Sequence, residues 1–136
     1  NQPTQFSETC LMVIDIDHFK QVNDVYGHLM GDQVIQFVAE KLKENIRTSD
    51  LLVRYGGDEF IVLIENVGME RALKIAEKIR SEIYEAKSVD SIRCPDLKVS
   101  ISIGVVIGAT SWMALLEKAD RALFQAKEQG KNKVAS

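Results

Sequence analysis

The sequence predicts an α+β fold, in which helices pack on a central, mainly antiparallel sheet, and three observations carry that prediction. Short runs of branched and aromatic residues alternate with longer stretches whose apolar positions recur at helical spacing. Two of the short runs are joined by a glycine turn and so form a hairpin. The elements follow the order strand, helix, helix, strand, strand, helix, strand, helix.

Leu11-Met12-Val13-Ile14-Asp15-Ile16 reads as a strand buried on both faces and ending in acid. A short helix follows the acids. Between residues 29 and 46, Val34, Ile35, Val38, Leu42 and Ile46 recur at helical spacing and give an amphipathic helix, which residues 47–50 close. Residues 51–55 and 59–64 are strand-like, and Gly56-Gly57-Asp58 turns between them, lifting its acids into the open. Ala72, Ala76, Ile79, Ile83 and Ala86 mark another long helix. Residues 97–107 form a strand, with Val99, Ile101, Ile103 and Val105 alternating against Ser100, Ser102 and Gly104. A last helix turns Leu116, Ala119, Leu123 and Ala126 inward and stops near Gly130. No repeat, linker or low-complexity tract interrupts this order.

A chain of 136 residues, 46% of them hydrophobic, is expected to be one domain over residues 1–136 with a real core. Its 17 Lys and Arg against 20 Asp and Glu leave a net charge of -3, which does not favour nucleic acid as a partner, so any phosphate recognition must be local. Cys10 and Cys94 lack the spacing of a zinc site or a disulfide framework, and a reducing cytoplasm fits them best. No apolar run approaches the roughly 20 residues that cross a bilayer, and the polar start has no secretory layout. A first residue that is Asn rather than Met reads as a segment of a longer protein, whose upstream region can carry regulation or a membrane tether.

Asp15 and Asp17 lie two residues apart at a strand end, so the strand period points both carboxylates to one face. Two carboxylates there repel unless a cation joins them. Magnesium is the natural candidate, being hard, oxygen-seeking and usually held by one or two carboxylates plus a substrate's phosphates. Asp58 and Glu59 would bring further carboxylates if the hairpin lies beside this strand. Taken alone, the Asp pair reads equally well as a cap on the next helix, and Gly56-Gly57-Asp58 as a solvated turn. Lys20 can pair with phosphate or stand as a solvated charge. Asn23 and Asp32 combine an amide and a carboxylate that can read the edge of guanine, although Asp32 also suits a helix first turn. His28, without a second histidine at ligand spacing, is taken as structural.

Over nearly its full length the chain resembles the GGDEF family of diguanylate cyclases. Gly56-Gly57-Asp58-Glu59-Phe60 is the motif that names the family, preceded by its usual Arg54-Tyr55. Asp15-Ile16-Asp17-His18-Phe19-Lys20 with Asn23-Asp24, then Gly27-His28 and Gly31-Asp32, match a second block. Ser102-Ile103-Gly104, Ala119-Asp120 and Ala126-Lys127 match a third, and separated blocks in order are far more specific than one pentapeptide. The resemblance implies the ferredoxin-like palm of nucleotidyl cyclases and the condensation of two GTP into cyclic di-GMP, with Mg2+ as cofactor and Mn2+ as an alternative. Each domain of the family binds one GTP, so catalysis implies a homodimer.

Carried over residue by residue, the resemblance implies that Asp15, the backbone carbonyl of Ile16 and Asp58 bind the metal. Backbone amides near His18 and Phe19 would meet the phosphates, Lys20 and Lys127 the triphosphate, and Asn23 and Asp32 the guanine. Gly56 and Gly57 would let the nucleotide approach the backbone. Asp58 is the better candidate for deprotonating the attacking 3'-hydroxyl, Glu59 would help hold the site, and Asp17 would be structural. Arg47-Thr48-Ser49-Asp50 matches the family's Arg-x-x-Asp inhibitory site, where Arg47 and Asp50 would bind the product, cyclic di-GMP. Two departures stand out: Lys131 occupies a place where many relatives carry arginine, and Lys78 a place where some use a secondary arginine against bound product. Each keeps the charge and loses the bidentate fork. The short segment that precedes the first strand in most members is absent. The rival expectation is a non-catalytic GGDEF domain that acts as a receptor for cyclic di-GMP or GTP.

Overall fold

The computed structural model describes residues 8–86 and 97–136; Cys94 lies outside them. Among the described residues five strands and four helices follow one another as β1 (Thr9–Ile16), α1 (Phe19–Tyr26), α2 (His28–Glu44), β2 (Leu51–Arg54), β3 (Glu59–Glu65), α3 (Met69–Glu85), β4 (Ile101–Gly108), α4 (Trp112–Glu128) and β5 (Val134–Ala135). The sheet order is β2-β3-β1-β4-β5, antiparallel throughout except for β4 with β5. The α+β expectation therefore holds. β5 was not anticipated, because two residues carry no periodicity.

β1 is the middle strand and is covered on both faces, which is why it reads as a continuous apolar run. Cys10, Met12, Ile14 and Ile16 face a cluster built with Val22 of α1, Val34, Val38 and Leu42 of α2, and Ala72, Ala76, Ile79 and Ile83 of α3. Leu11 and Val13 point the other way, toward Leu115, Leu116, Ala119 and Leu123 of α4. The expected inward face of α4 is thus correct. Asp15 continues the Leu11 and Val13 row, so it ends on the α4 side of the sheet.

β4 begins at Ile101 rather than at residue 97. Val99 is buried, so the alternation continues beyond the ladder itself. The small residues of that alternation do not face solvent: Ser102 is fully buried, and a Cβ at Gly104 would fall inside the backbone of Ala119 and Leu123. Glycine there is what lets α4 lie directly on the sheet.

α4 starts at Ser111, whose side chain accepts from the Ala114 amide at 3.2 Å. It closes with Gly130 at φ 118, the Gly130 amide donating to Lys127 O at 3.2 Å and the Lys131 amide to Ala126 O at 3.1 Å. Lys131 and Asn132 follow at φ 65 and 52, two successive non-glycine residues in left-handed backbone. Among the described residues no helix is long and apolar enough to cross a membrane.

Candidate active site

The site is the end of the sheet where β1 stops and the β2-β3 hairpin turns. Cross-strand register puts Asp15 opposite Glu59 of β3 on one side and Ser102 of β4 on the other. The hairpin is docked to β1 through backbone, the Ile16 amide donating to Asp58 O at 3.1 Å, and its own turn is closed by the Tyr55 amide donating to Glu59 O at 2.8 Å. Arg54 holds the turn from outside, donating to Gly56 O at 3.2 Å and Gly57 O at 2.7 Å. The sequence marked Arg54 only as a family neighbour, since its role depends on two carbonyls that no spacing rule reveals.

Asp15 is buried and ion-paired to Lys127 of α4 through Oδ2, while its other oxygen, Oδ1, is buried with no hydrogen-bond partner among the described residues. A buried carboxylate oxygen without a donor is costly, and a cation or proton is what relieves it. Burial pushes the Asp15 carboxyl up to about 6; Lys127 opposes that rise, and Asp58, another carboxylate beside it, adds to it. Burial also raises the Glu59 carboxyl, with Asp58 and Asp120 adding to the effect and Lys127 opposing it. Burial works to lower the Lys127 ammonium, but its bond to Asp15 and the charges of Glu59 and Asp58 outweigh this and hold it above its ordinary value. Among the described residues no three His, Cys, Asp or Glu side chains converge as metal ligands. A metal at Asp15 and Asp58 would therefore need oxygens from elsewhere, as magnesium on a nucleotide obtains from phosphate.

Asp17 does different work. It accepts from Ser100 Oγ and Ser102 Oγ, both at 2.7 Å, and from the Asn132 amide at 2.9 Å. Those three bonds tie the strand end to β4 and to the left-handed turn that carries Lys131, and Arg80 of α3 grips the same turn through Asn132 Oδ1 at 2.8 Å. The structural role expected of Asp17 fits this geometry. Asp17→Asn is expected to cost about 2 kcal/mol, by placing an amide against hydroxyl and amide donors in a buried position; chemical denaturation compares it with the parent.

Beyond Asp17 the chain enters α1 through His18 in the left-handed region, φ 58, with no side chain capping the helix. The first amides of α1 thus lack a side-chain acceptor at the site's edge. Lys20 is exposed on this helix, and Phe19 is half-buried against the core. Gly27, φ 94, turns the chain into α2. The Asn23 side chain lies so close to Gly31 that a Cβ there would overlap its Oδ1, which sets Asn23 beside the residue preceding the exposed Asp32. A Cβ at Gly57 would meet nothing within 4 Å, so no packing among the described residues demands glycine there.

Arg47 and Asp50 stand apart from this cluster. Arg47 donates to the Glu65 carbonyl at 3.2 Å, and Glu65 is six positions along β3 from Glu59, about 20 Å at strand rise. Asp50 accepts from the Arg47 amide at 2.8 Å and from its guanidinium at 3.3 Å and 3.4 Å. Lys78 is exposed on α3 and pairs with Glu82 at 3.9 Å.

Fold and site together define an α+β, palm-like domain whose central strand ends in an acidic site against Lys127 of α4. A family model described as "Diguanylate cyclase, GGDEF domain" matches residues 1–133, and the chain belongs to that family. It is 44% identical over 128 residues to the Probable diguanylate cyclase DgcT of Escherichia coli (strain K12), covering 92% of this chain and 28% of that protein. Diguanylate cyclase A of Treponema denticola is 41% identical over 129 residues, covering 91% and 34% respectively. The chain thus spans about a third or less of the length of these relatives. Among solved structures, the GGDEF domain of DgcB from Caulobacter crescentus in complex with c-di-GMP aligns with a TM-score of 0.88 at 32% identity, over 95% of this chain and 77% of that one. The active GGEEF domain of a diguanylate cyclase from Vibrio cholerae aligns with a TM-score of 0.84 at 31% identity, over 94% and 81%.

Proposed function

We propose that this domain is a catalytic diguanylate cyclase, condensing two GTP into cyclic di-GMP and two pyrophosphates with magnesium, across a dimer of domains, under inhibition by its product at Arg47 and Asp50. The observation that carries the reading is the buried, unpartnered Oδ1 of Asp15 with Asp58 beside it and Lys127 on its other oxygen. Asp15, Asp58 and the Ile16 carbonyl would hold magnesium, and Asp15 would then exchange Lys127 for the ion. When bound, magnesium offsets the negative charge that develops on the α-phosphate and the departing pyrophosphate.

The chain's own groups do the rest. Lys127, Lys20 and Lys131 balance the charge of the triphosphate, and the uncapped first turn of α1 at His18 and Phe19 offers amides to it. Asn23 and Asp32 hold guanine by its amide edge. The open space at Gly57 lets the nucleotide lie against the hairpin. Asp58 takes the proton of the attacking 3'-hydroxyl as its oxygen bonds to the partner nucleotide's α-phosphorus and pyrophosphate leaves. The same exchange in the opposite sense closes the ring, so two domains must face one another.

The test is to fuse the chain to a short dimerising coiled coil, incubate it with GTP and magnesium, and separate the nucleotides chromatographically. Cyclic di-GMP and pyrophosphate in a 1:2 ratio are expected. Binding of cyclic di-GMP without any turnover would replace the cyclase by a receptor.

A further inference from the structure

The inhibitory reading rests on Arg47, Asp50 and Lys78, but the cavity that Arg47 and Asp50 line has a different third cation. It measures about 160 Å³ and is walled on the α3 side by Arg71 and Ile75, with Asn45 and Asn66 at its polar rim. Lys78 does not line it. That residue sits one groove further along α3, in a shallower depression that shares Arg71 and Ile75 with the cavity and adds Lys74 and Glu70. Arg71 and Ile75 are one helical turn apart on the same face, so they form the ridge between the two depressions.

The charges in the cavity do not balance. Asp50, with its side chain only 4% exposed, is committed to Arg47, whose amide and guanidinium it accepts. Its first effect is to fix the direction of the Arg47 fork. Arg71 brings a second guanidinium to the same space, is exposed, and makes no ion pair among the described residues. Two guanidiniums against one carboxylate leave a net positive cavity, and the adjoining groove, with Arg71, Lys74 and Lys78 against Glu70, is positive as well. A cyclic purine phosphodiester suits such a place: its phosphates are anionic, and its guanine O6 and N7 accept a guanidinium fork.

We propose that Arg71 is a binding residue of the product site, offering cyclic di-GMP from the cavity wall the bidentate geometry that Lys78 cannot supply. The proposal rests on the inhibitory reading of Arg47 and Asp50, which precede β2, and adds to it a residue that lines the cavity from α3. Calorimetric titration of cyclic di-GMP into the chain and into three variants tests it. Arg47→Ala is expected to lose binding, Arg71→Ala to weaken it about tenfold or more, and Arg71→Lys to recover only part of that loss. Because Arg71 is exposed, its variants should melt with the parent. If Arg71→Ala binds within twofold of the parent while Arg47→Ala does not bind, Arg71 lies outside the product site and only the inhibitory reading stands. If Arg47→Ala binds as the parent does, that reading fails and the role of Arg71 falls with it.

Discussion

Asp58→Ala is expected to lower cyclic di-GMP formation by the dimerised domain by about three orders of magnitude while leaving its melting temperature unchanged or slightly raised. The separation of activity from stability follows from how the residue is held. Its docking to β1 is made by its backbone carbonyl, which alanine keeps. Its carboxylate contributes charge: it helps burial to push the Asp15 carboxyl up to about 6. A carboxyl whose pKa is higher folded than unfolded favours the folded state most when protonated, and that contribution is lost as pH rises from the ordinary carboxylate value toward 6. Removing Asp58 shortens this interval, so in the presence of a chelator the variant should be at least as stable as the parent at pH 7. A scanning calorimetry comparison with EDTA reads the stability, and turnover with GTP and magnesium reads the chemistry. A variant that stays active removes Asp58 from the catalytic role, and one that unfolds shows that the carboxylate carries structure instead.

What was legible beforehand and what was not divide along sequence distance. The apolar run of β1, the helical spacing of Val34, Val38 and Leu42, and the glycine turn between β2 and β3 are local signals, and each became the element it predicted. The family blocks placed Asp15, Asp58 and Lys127 as candidates before any contact between them was visible. The contacts themselves were not readable. Lys127 pairs with Asp15 across 112 residues, and Asp17 gathers donors 83, 85 and 115 residues away. The left-handed pair at Lys131 and Asn132 gave no signal either, because no glycine marks it and it is held by Asp17 and Arg80 rather than by its own propensity. Alternation in β4 was legible, but not the reason its second row is small: Ser102 and Gly104 let Asp17 and α4 come close. Arg71 was passed over for the same reason: its neighbours in the cavity come from three segments that only the fold assembles.

Gly104 is where the fold and the site are most tightly joined. A methyl group there would enter the backbone of Ala119 and Leu123, and backbone cannot rotate aside as the tip of a side chain can. Gly104→Ala must therefore lift α4 off β4, opening the packing of Leu11 and Val13 against Leu115 and Leu123. The expected cost is about 3 kcal/mol, or a fall in melting temperature of roughly 10 °C for a domain of this size. The same displacement withdraws Lys127, one turn beyond Leu123, from Asp15. GTP affinity should therefore fall together with stability, unlike the Asp58→Ala case in which activity falls alone. Gly57→Ala is the matching control, since its methyl meets only open space within the chain and should leave the melting temperature in place. Thermal denaturation of the two alanine variants, read beside GTP binding, separates a glycine required by packing from one that leaves room for a ligand. Equal melting temperatures for both would mean that α4 tolerates the methyl at Gly104 and that its close approach to the sheet does not set the position of Lys127.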